Sequence, residues 1–334
     1  MTSIPSTRRR RCLSMALAAL APLAALVCAA WPALAPAQPQ MTRIVVAFPP
    51  GGPVDFVART LAEQLGKELG SIVVVENKAG ANGAIAAEYV SRAQPDTRTL
   101  WLTSVGAVAI NPALYPKLGY KPATDLAPVS LVVSNVEMLV VNAKAPYGNG
   151  AQFVAAARQA RTPLTMASSG TGSVPHLAME LLKEHAGIQL AHIPYKGAAP
   201  AITDVVAGHV DGFFGDIPGL IGQISAGKLK PVAIAASRRH PRFPEVRTFA
   251  EIGITGVDSD NWYALFAPKG TPAAEIEKMS QAVQRALNTP SVKSRLEASG
   301  TEVVGSTPAE LARALQADTL KWSRVVRANG ITPD

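Results

Sequence analysis

The chain has 334 residues, of which 48% are hydrophobic and 17% charged, and its formal net charge is +8 at pH 7. Without the four arginines Arg8–Arg11, 28 basic residues face 24 acidic ones, so the rest of the chain is only mildly basic. The tight basic cluster at residues 238–242 lacks the interleaved aromatic side chains of a nucleic-acid surface, and we expect no nucleic-acid partner.

The N-terminal segment, residues 1–37, has the three parts of an export signal. Arginines precede an apolar run at residues 13–31, and small residues follow as far as Ala37. We expect a signal peptide that is cleaved after Ala37, which places the mature chain in the periplasm. The arginines also partly resemble a twin-arginine signal, so the export route, Sec or twin-arginine, stays open.

The cysteines and histidines give no sign of disulfides or metal sites in the mature chain. Both cysteines, Cys12 and Cys28, lie in the predicted signal, so the mature chain would have no disulfide and no cysteine ligand. Its histidines show no zinc-ligand spacing. We therefore expect no metal and no cofactor, and a core large enough to be stable without cross-links.

Strand-like and helical patterns alternate from residue 42 onward. In chain order, strands are predicted at 43–48, 72–76 and 98–104, with helices at 54–69 and 83–91 between them. The first helix has an apolar stripe of Val57, Leu61 and Leu65 and a glycine stop at Gly70. This alternation predicts a parallel sheet with helices on both faces.

A second α/β series follows a β-rich stretch at 128–142. It has predicted helices at 152–160, 174–185 and 198–207, and strands at 164–167, 189–193, 211–215 and 230–236. A strand at 262–267 and helices at 272–287, 290–299 and 308–329 come last, and the final helix is long enough to lie across the first series. We predict two α/β domains joined by two crossing strands: residues 38–142 plus 257–334, and residues 143–256, with the ligand between them.

The loop after the first strand predicts an anion site. Its glycines open directly into a helix, and first-turn amides at the positive end of a helix dipole bind a carboxylate or phosphate without a charged side chain. Because the neighbouring prolines have no N–H, the expected donors are Gly51, Gly52, Val54 and Asp55. Asp55 has an alternative role, since it precedes Arg59 by four residues and can form an intrahelical pair.

Three further loops follow predicted strands, where ligands gather in such sheets. The first offers Ser104, and the second, residues 168–176, is dense in small hydrogen-bonding residues at another helix start. An ordinary capped helix would explain that loop equally well. The third offers Asp216. His176 either donates to an anion or packs as a polar side chain.

Enzyme motifs are incomplete in this sequence. The segment 222–228 resembles a phosphate-binding loop, but Leu229 stands where Ser or Thr is needed to hold magnesium. Met166 replaces the glycine of a nucleophile elbow around Ser168. A secreted hydrolase or isomerase that uses His176 with a cleft serine remains the alternative to a receptor.

Several ordered motifs resemble the Bug family of periplasmic solute receptors, also called TctC-like or tripartite tricarboxylate transporter receptors. The similarity runs from about Arg43 to Gly330. It includes Phe48-Pro-Pro-Gly-Gly52 with Asp55, Val74-Val-Glu-Asn77, Asn111-Pro-Ala-Leu114, Ser168-Ser-Gly170 with His176, His192-Ile-Pro-Tyr-Lys-Gly197, and Trp262 with Ala267-Pro-Lys-Gly-Thr-Pro272.

The resemblance implies a two-domain, α/β periplasmic binding protein of the Venus flytrap type that performs no chemistry. It implies two loop pincers that hold a small carboxylate, for delivery to a tripartite tricarboxylate-type transporter or for presentation to a membrane sensor, and we expect a monomer. The expected ligand-binding residues are Phe48, Pro50, Gly51, Gly52, Val54, Asp55, Ser104, Ser168, Ser169, Gly170, Thr171, Gly172, His176, Tyr195, Asp216 and Trp262. An ionised Asp216 facing the cleft would favour an amino or hydroxy acid over a plain dicarboxylate.

Overall fold

The structure of the protein is a computed structural model that describes residues 41–333. The predicted signal peptide and its cleavage after Ala37 lie outside these residues. The chain from Met41 onward forms one compact unit. Within the described range, every helix is too short or too polar to cross a membrane.

The order of elements follows the predicted alternation. The strands are β1 (Met41–Val46), β2 (Ile72–Asn77), β3 (Thr99–Ser104), β4 (Leu126–Asn142), β5 (Leu164–Ser168), β6 (Leu190–Pro194), β7 (Gly212–Asp216), β8 (Leu229–Ile234), β9 (Asp260–Pro268) and β10 (Glu302–Val303). The helices are α1 (Pro53–Leu69), α2 (Ala84–Ser91), α3 (Asn111–Leu114), α4 (Pro122–Asp125), α5 (Gly150–Gln159), α6 (Val174–Ala186), α7 (Ala198–Ala207), α8 (Ile217–Ser225), α9 (Ala273–Asn288), α10 (Pro290–Ala298) and α11 (Pro308–Ala328). Short turns lie at Ala81–Gly83, Gly106–Ile110 and Ala250–Ile252.

The strands form a continuous sheet in the order β2-β1-β3-β9-β4-β7-β5-β6. Strands β1, β2 and β3 run parallel at one side, and β5, β6 and β7 run parallel at the other. Between them β4 and β9 pair antiparallel, and β8 and β10 also pair antiparallel with β4. The prediction of a parallel sheet is therefore right for the two outer groups and wrong for the middle.

The long strand β4 connects the two groups. It pairs with β9 along its first part and with β7 along its second. We call β1, β2, β3 and β9 the first sheet half, and β5 to β8 the second sheet half. Because β4 pairs with strands of both halves, it joins them into one sheet. The domain boundaries at residues 142 and 257 stay a prediction.

Alternating side chains build the core on both faces of the sheet. Val45 and Trp101 belong to a buried cluster that continues into the second half through Phe214, whereas Ile44 packs on the opposite face against Leu61 of α1. Helix α1 buries its predicted stripe and ends at Gly70, which has φ +60°. The expected helix and strand positions are confirmed to within a few residues.

Two helices show what the sequence patterns could and could not predict. Helix α11 lies against β4 and α6, and its Trp322 is fully buried, so the predicted return of the last helix is confirmed. Helix α8 was missed. Its sequence contains Gly219 and Gly222, which disfavour helix, but it buries Ile217 and Leu220 against the second sheet half.

Candidate ligand-binding cavity

A cavity of about 50 Å³ lies where the carboxyl ends of β1, β3, β5 and β7 approach one another. About 10–15 Å³ admits one water, so the cavity has room for several small groups. The residues that line it are Phe48, Pro49, Gly52, Pro53, Val54, Asn82, Ser104, Ser169, Ser173, Val174, Pro175, Ala198, Ala199, Phe213, Gly215, Asp216, Asn261 and Tyr263. Loops and helix starts contribute most of this set, and strands contribute the rest.

Three helices begin at the cavity. The first-turn residues of α1, α6 and α7 all line it. First-turn amides have no partner within their own helix, and the helix dipole makes this end positive. Among the residues that the structure describes, no lysine, arginine or histidine lines the cavity, so these backbone groups supply its positive potential.

The first loop, Phe48–Asp55, is held from behind by Asp55. Its Oδ2 accepts from the Gly51 amide at 3.0 Å and from Arg59 Nε at 2.8 Å, and its Oδ1 accepts from Asn77 Nδ2 at 2.9 Å. Burial alone raises the pKa of Asp55, but these hydrogen bonds outweigh it and leave the pKa below its usual value. Asp55 is therefore an ionised brace.

The predicted donor Gly51 is used within the protein. Its N–H is directed at Asp55 and not at a ligand, so the expectation for this residue is wrong. The reason is that the Asp55 side chain, in the first turn of α1, reaches back to the loop and accepts from the Gly51 amide. Gly52 and Val54 remain at the cavity wall.

The second loop, Ser168–His176, is held by two histidines, His176 and His192. Its Gly172 amide donates to His176 Nδ1 at 3.1 Å, and Ser168 Oγ lies 2.6 Å from His192 Nε2. The two imidazole rings stack with centroids 3.8 Å apart and an interplanar angle of 6°. Burial lowers the pKa of His176 to about 3, so the ring is uncharged, and it does not line the cavity, which favours the predicted alternative of a polar packing residue.

Contacts join the first sheet half to the second loop. Asn82, which follows β2, donates through Nδ2 to the Gly172 carbonyl at 2.9 Å and to Asn111 Oδ1 at 2.9 Å. A side chain added at Gly172 would collide with Leu114, which shows how closely α3 approaches this loop. The cavity is therefore enclosed by residues from both halves.

Strand residues supply a polar patch, defined as Glu137, Asp216, Asn261 and Tyr263. Asp216 lies opposite Glu137 in the β4–β7 pairing, and the two carboxyl groups are hydrogen-bonded. Asn261 Nδ2 lies 3.0 Å from Asp216 Oδ1 and 3.3 Å from Glu137 Oε1, and the Tyr263 hydroxyl donates to Asp216.

Burial also controls protonation in this patch. It raises the pKa of Asp216 to about 6, against the opposing hydrogen bonds from Tyr263, Glu137 and Asn261. Burial, with the charge of Asp216, raises the pKa of Glu137 well above its usual value. The pKa of Tyr263 is also raised, by burial and by both carboxyl groups, so its hydroxyl stays protonated.

The structure brings six of the predicted residues together at the cavity wall: Phe48, Gly52, Val54, Ser104, Ser169 and Asp216. The others lie behind or beside the wall: Pro50, Gly51, Asp55, Ser168, Gly170, Thr171, Gly172, His176, Tyr195 and Trp262. The Tyr195 hydroxyl donates to Asp204 at 2.5 Å. Trp262 Nε1 donates to Asp318 of α11 at 2.5 Å, because side chains alternate along β9 and its neighbours take the cavity side.

Four polar lining residues were not among the predicted site residues: Asn82, Ser173, Asn261 and Tyr263. Ser173 precedes α6, yet its side chain makes no capping bond, and its buried Oγ has no partner in the protein. A serine just before a predicted helix was a usable signal for this residue. Asn261 and Tyr263 could have been found from strand alternation around Trp262.

Other sites are less suited to a small polar ligand. A groove of about 770 Å³ between α11 and the turn before α3 is lined mainly by apolar residues such as Leu118, Leu315 and Leu320. Residues 41–333 contain no cluster of acidic, histidine or cysteine side chains able to hold a metal ion. The one serine–histidine contact described above, Ser168 with His192, lies outside the cavity lining.

Known proteins share this architecture. Residues 57–331 match the family described as the tripartite tricarboxylate transporter family receptor, TctC. The structure of the periplasmic binding protein BugD has a TM-score of 0.83 and 33% identity, covering 88% of this chain and 98% of BugD. An R. palustris protein solved with adipate has a TM-score of 0.85 and 31% identity, over 91% of this chain and all of that one. MatC from Rhodopseudomonas palustris, with bound malate, has a TM-score of 0.81 and 34% identity, over 86% and 98%.

Proposed function

The chain belongs to the TctC family of tripartite tricarboxylate transporter receptors, and from this premise we propose that it captures a small carboxylate in the cavity between its two loops. The family resemblance and the periplasmic-binding-protein fold predicted from sequence are confirmed. The members of its family and its structural neighbours are solute-binding receptors, and this protein is likewise a receptor and not an enzyme.

The main support for the carboxylate proposal is that the N-termini of three helices surround a cavity that no basic side chain among the described residues lines. Each helix N-terminus stabilises an anion by about 0.3–1 kcal/mol, and by up to about 2 kcal/mol when partly buried. The hydroxyl of Ser173 adds a donor that no protein group uses. A hydrogen bond to a charged group contributes about 1.5–3 kcal/mol. Together these groups favour a small anion with planar oxygens.

The structural neighbours support the same ligand class. One was solved with adipate and another with malate, and both ligands are carboxylates. The cavity volume of about 50 Å³ suits a ligand of a few heavy atoms. Backbone amides recognise carboxylates in general, so they set the class of ligand and leave its identity to the side chains of the polar patch.

Binding is proposed to close the two sheet halves around the ligand. A ligand favours the closed form only if it contacts both halves more strongly there than in the open form. The lining of the cavity supports this proposal, since Val54 follows β1 of the first half and Ser173 follows β5 of the second. We propose that the closed receptor, a monomer exported after cleavage at Ala37, then delivers its ligand to a tripartite tricarboxylate-type membrane transporter.

The experiment is titration calorimetry with mono-, di- and tricarboxylates, amino acids and nicotinate-like acids, combined with mass spectrometry of any co-purified molecule. We expect one-to-one binding without turnover. Ser173→Ala should weaken binding about 10-fold, in line with one lost charged hydrogen bond. The control Ser294→Ala removes a hydroxyl from the exposed face of α10 and should leave affinity unchanged.

Two results would contradict the proposal. Failure of the whole panel to bind would exclude the carboxylate class, and equal affinities for Ser173→Ala and Ser294→Ala would exclude the cavity. Small-angle scattering with a confirmed ligand tests closure separately, because the radius of gyration should fall on binding if the two halves approach each other.

A further inference from the structure

The polar patch contains two carboxyl groups that are both removed from solvent. Glu137 is 0% exposed and Asp216 is 9% exposed. Their places opposite each other in antiparallel strands β4 and β7 put the side chains on the same face of the sheet. Asp216 lines the cavity directly and is also the N-cap residue of α8, where its side chain makes no capping bond. Its carboxylate accepts from Tyr263 and Asn261 and still lies at the cavity wall, with Glu137 behind it.

Acceptors outnumber donors in this patch. Tyr263 supplies one hydroxyl hydrogen and Asn261 supplies its amide hydrogens, and these are directed at the carboxyl groups. Glu137 Oε2 and Asn261 Oδ1 are buried and have no hydrogen-bond partner within the protein. Asn261 is 5% exposed and lines the cavity. An unpaired buried acceptor is unfavourable, so the patch is complementary to a group that donates several hydrogen bonds.

The patch also carries unbalanced negative charge. Two carboxyl groups can share a hydrogen bond only if one of them holds a proton, which leaves one negative charge on the pair. The groups facing it are Tyr263 and Asn261 of β9, both neutral, and no basic side chain among the described residues lines the cavity. The raised pKa values of both carboxyl groups agree with one shared proton at neutral pH.

We infer that the Glu137–Asp216 pair binds the ammonium group of a zwitterionic amino acid, while the helix starts hold its carboxylate. An ammonium provides both the positive charge and the three donors that the patch lacks, a hydroxyl provides one donor, and a second carboxylate provides none. This inference rests on the proposed carboxylate-binding function and selects among carboxylates.

The test uses matched ligands that differ only in one terminal group. Calorimetry at pH 7 compares ω-amino acids, ω-hydroxy acids and dicarboxylates of equal chain length from two to six carbons, together with aspartate, malate and succinate. We expect the amino member of the best-binding set to bind at least 10-fold more tightly than the dicarboxylate, with the hydroxy member between them.

Variants of the pair should remove this preference. Asp216→Asn and Glu137→Gln keep the shape of each side chain and remove its charge, and we expect either change to reduce the amino-to-dicarboxylate ratio to below 3-fold. Ser173→Ala is the comparison, because it should weaken all members of a set alike and keep their ratio. Thermal melting of each variant shows whether it is folded. If Asp216→Asn does not fold, Glu137→Gln provides a second test.

The outcomes separate this inference from the proposed function. Binding of carboxylates with equal affinity across a set would overturn the inference and leave the function intact. A preference that survives both variants, or variants that lower only the melting temperature, would show that the pair is merely structural. Absence of binding by every acid in the panel would overturn both.

Discussion

The two loops at the cavity differ in the chemistry that holds them, although each is a glycine-containing turn that opens a helix. The first loop is held by the ionised carboxylate of Asp55, with Arg59 as its partner at 2.8 Å. The second is held by the neutral ring of His176, stacked on His192. The same backbone arrangement is thus maintained once by a charged network and once by the uncharged imidazole of His176.

Solvent exposure of the partners explains the difference. The side chain of Arg59 is 53% exposed, so its charge stays hydrated while it neutralises Asp55. His176 has no comparable partner. Its side chain is 7% exposed, Glu180 lies 3.7 Å away, and Glu180 is itself paired with Lys183 at 2.7 Å. Burial in this setting therefore favours the neutral imidazole over the charged imidazolium. The comparison teaches that a charged brace needs a counterion that can reach water.

The largest expected effect is the loss of stability when alanine replaces the glycine of the second loop, compared with the same change in the first loop. Gly172 in the second loop and Gly51 in the first both have positive φ, +76° and +81°. An added Cβ at Gly172 would lie 2.2 Å from Leu114 Cδ2, whereas nothing lies within 4 Å at Gly51. Gly51→Ala should cost about 1–2 kcal/mol, from backbone strain alone. Gly172→Ala should cost about 2 kcal/mol more, from overpacking.

Denaturant unfolding of both variants measures this difference. The double variant Gly172→Ala with Leu114→Ala should have a non-additive stability, because the shortened leucine removes the collision. Equal losses for Gly51→Ala and Gly172→Ala would show that the second loop is not closely packed against α3.

The second prediction concerns the charged brace. Asp55→Asn places an amide where three donors converge, and it should reduce the free energy of unfolding by about 2 kcal/mol at pH 7. The control is Glu63→Gln on the same helix, which removes an i,i+4 pair of the same 2.8 Å length whose glutamate is 82% exposed. That change should leave the free energy of unfolding almost unchanged, because solvent screens an exposed ion pair. Similar losses for the two variants would contradict a bracing role for Asp55.

The last prediction concerns the acid response of the second loop. Because the pKa of His176 is about 3 in the folded protein and 6.5 in the reference state, the unfolded chain binds a proton first as the pH falls. Stability should therefore decrease from pH 6.5 downward, by at most about 1.4 kcal/mol per pH unit from this group. His176→Asn retains an acceptor for the Gly172 amide and removes the titration.

Unfolding free energies measured between pH 7 and pH 4 check this prediction. The difference between wild type and His176→Asn isolates the histidine from the Glu137–Asp216 pair, whose raised pKa values act in the opposite direction and favour the folded state as the pH falls. An unchanged slope in His176→Asn would mean that its ring is protonated in the folded protein.

Local patterns predicted most of the elements and both loops. Hydrophobic periodicity and glycine stops located α1, α6 and the parallel strands, because these signals depend only on neighbours in the chain. Gly52, Val54 and Ser169, which the helix-start argument predicted to bind the ligand, line the cavity, and their contact with a ligand stays a prediction. The helix-start prediction failed at Gly51, where the sequence offered an amide as a free donor and the fold turned the Asp55 side chain back onto it.

By itself, the sequence determined the family and the α/β alternation, and it predicted helix N-termini in place of basic side chains at the site. Only the tertiary structure decided the antiparallel middle of the sheet and the composition of the polar patch. Glu137, Asp216 and Asn261 are separated by many residues in the chain and become neighbours only through the pairing of β4 with β7 and β9. The burial that raises their pKa values depends on the same pairing, because desolvation is a property of the folded environment and not of any local segment.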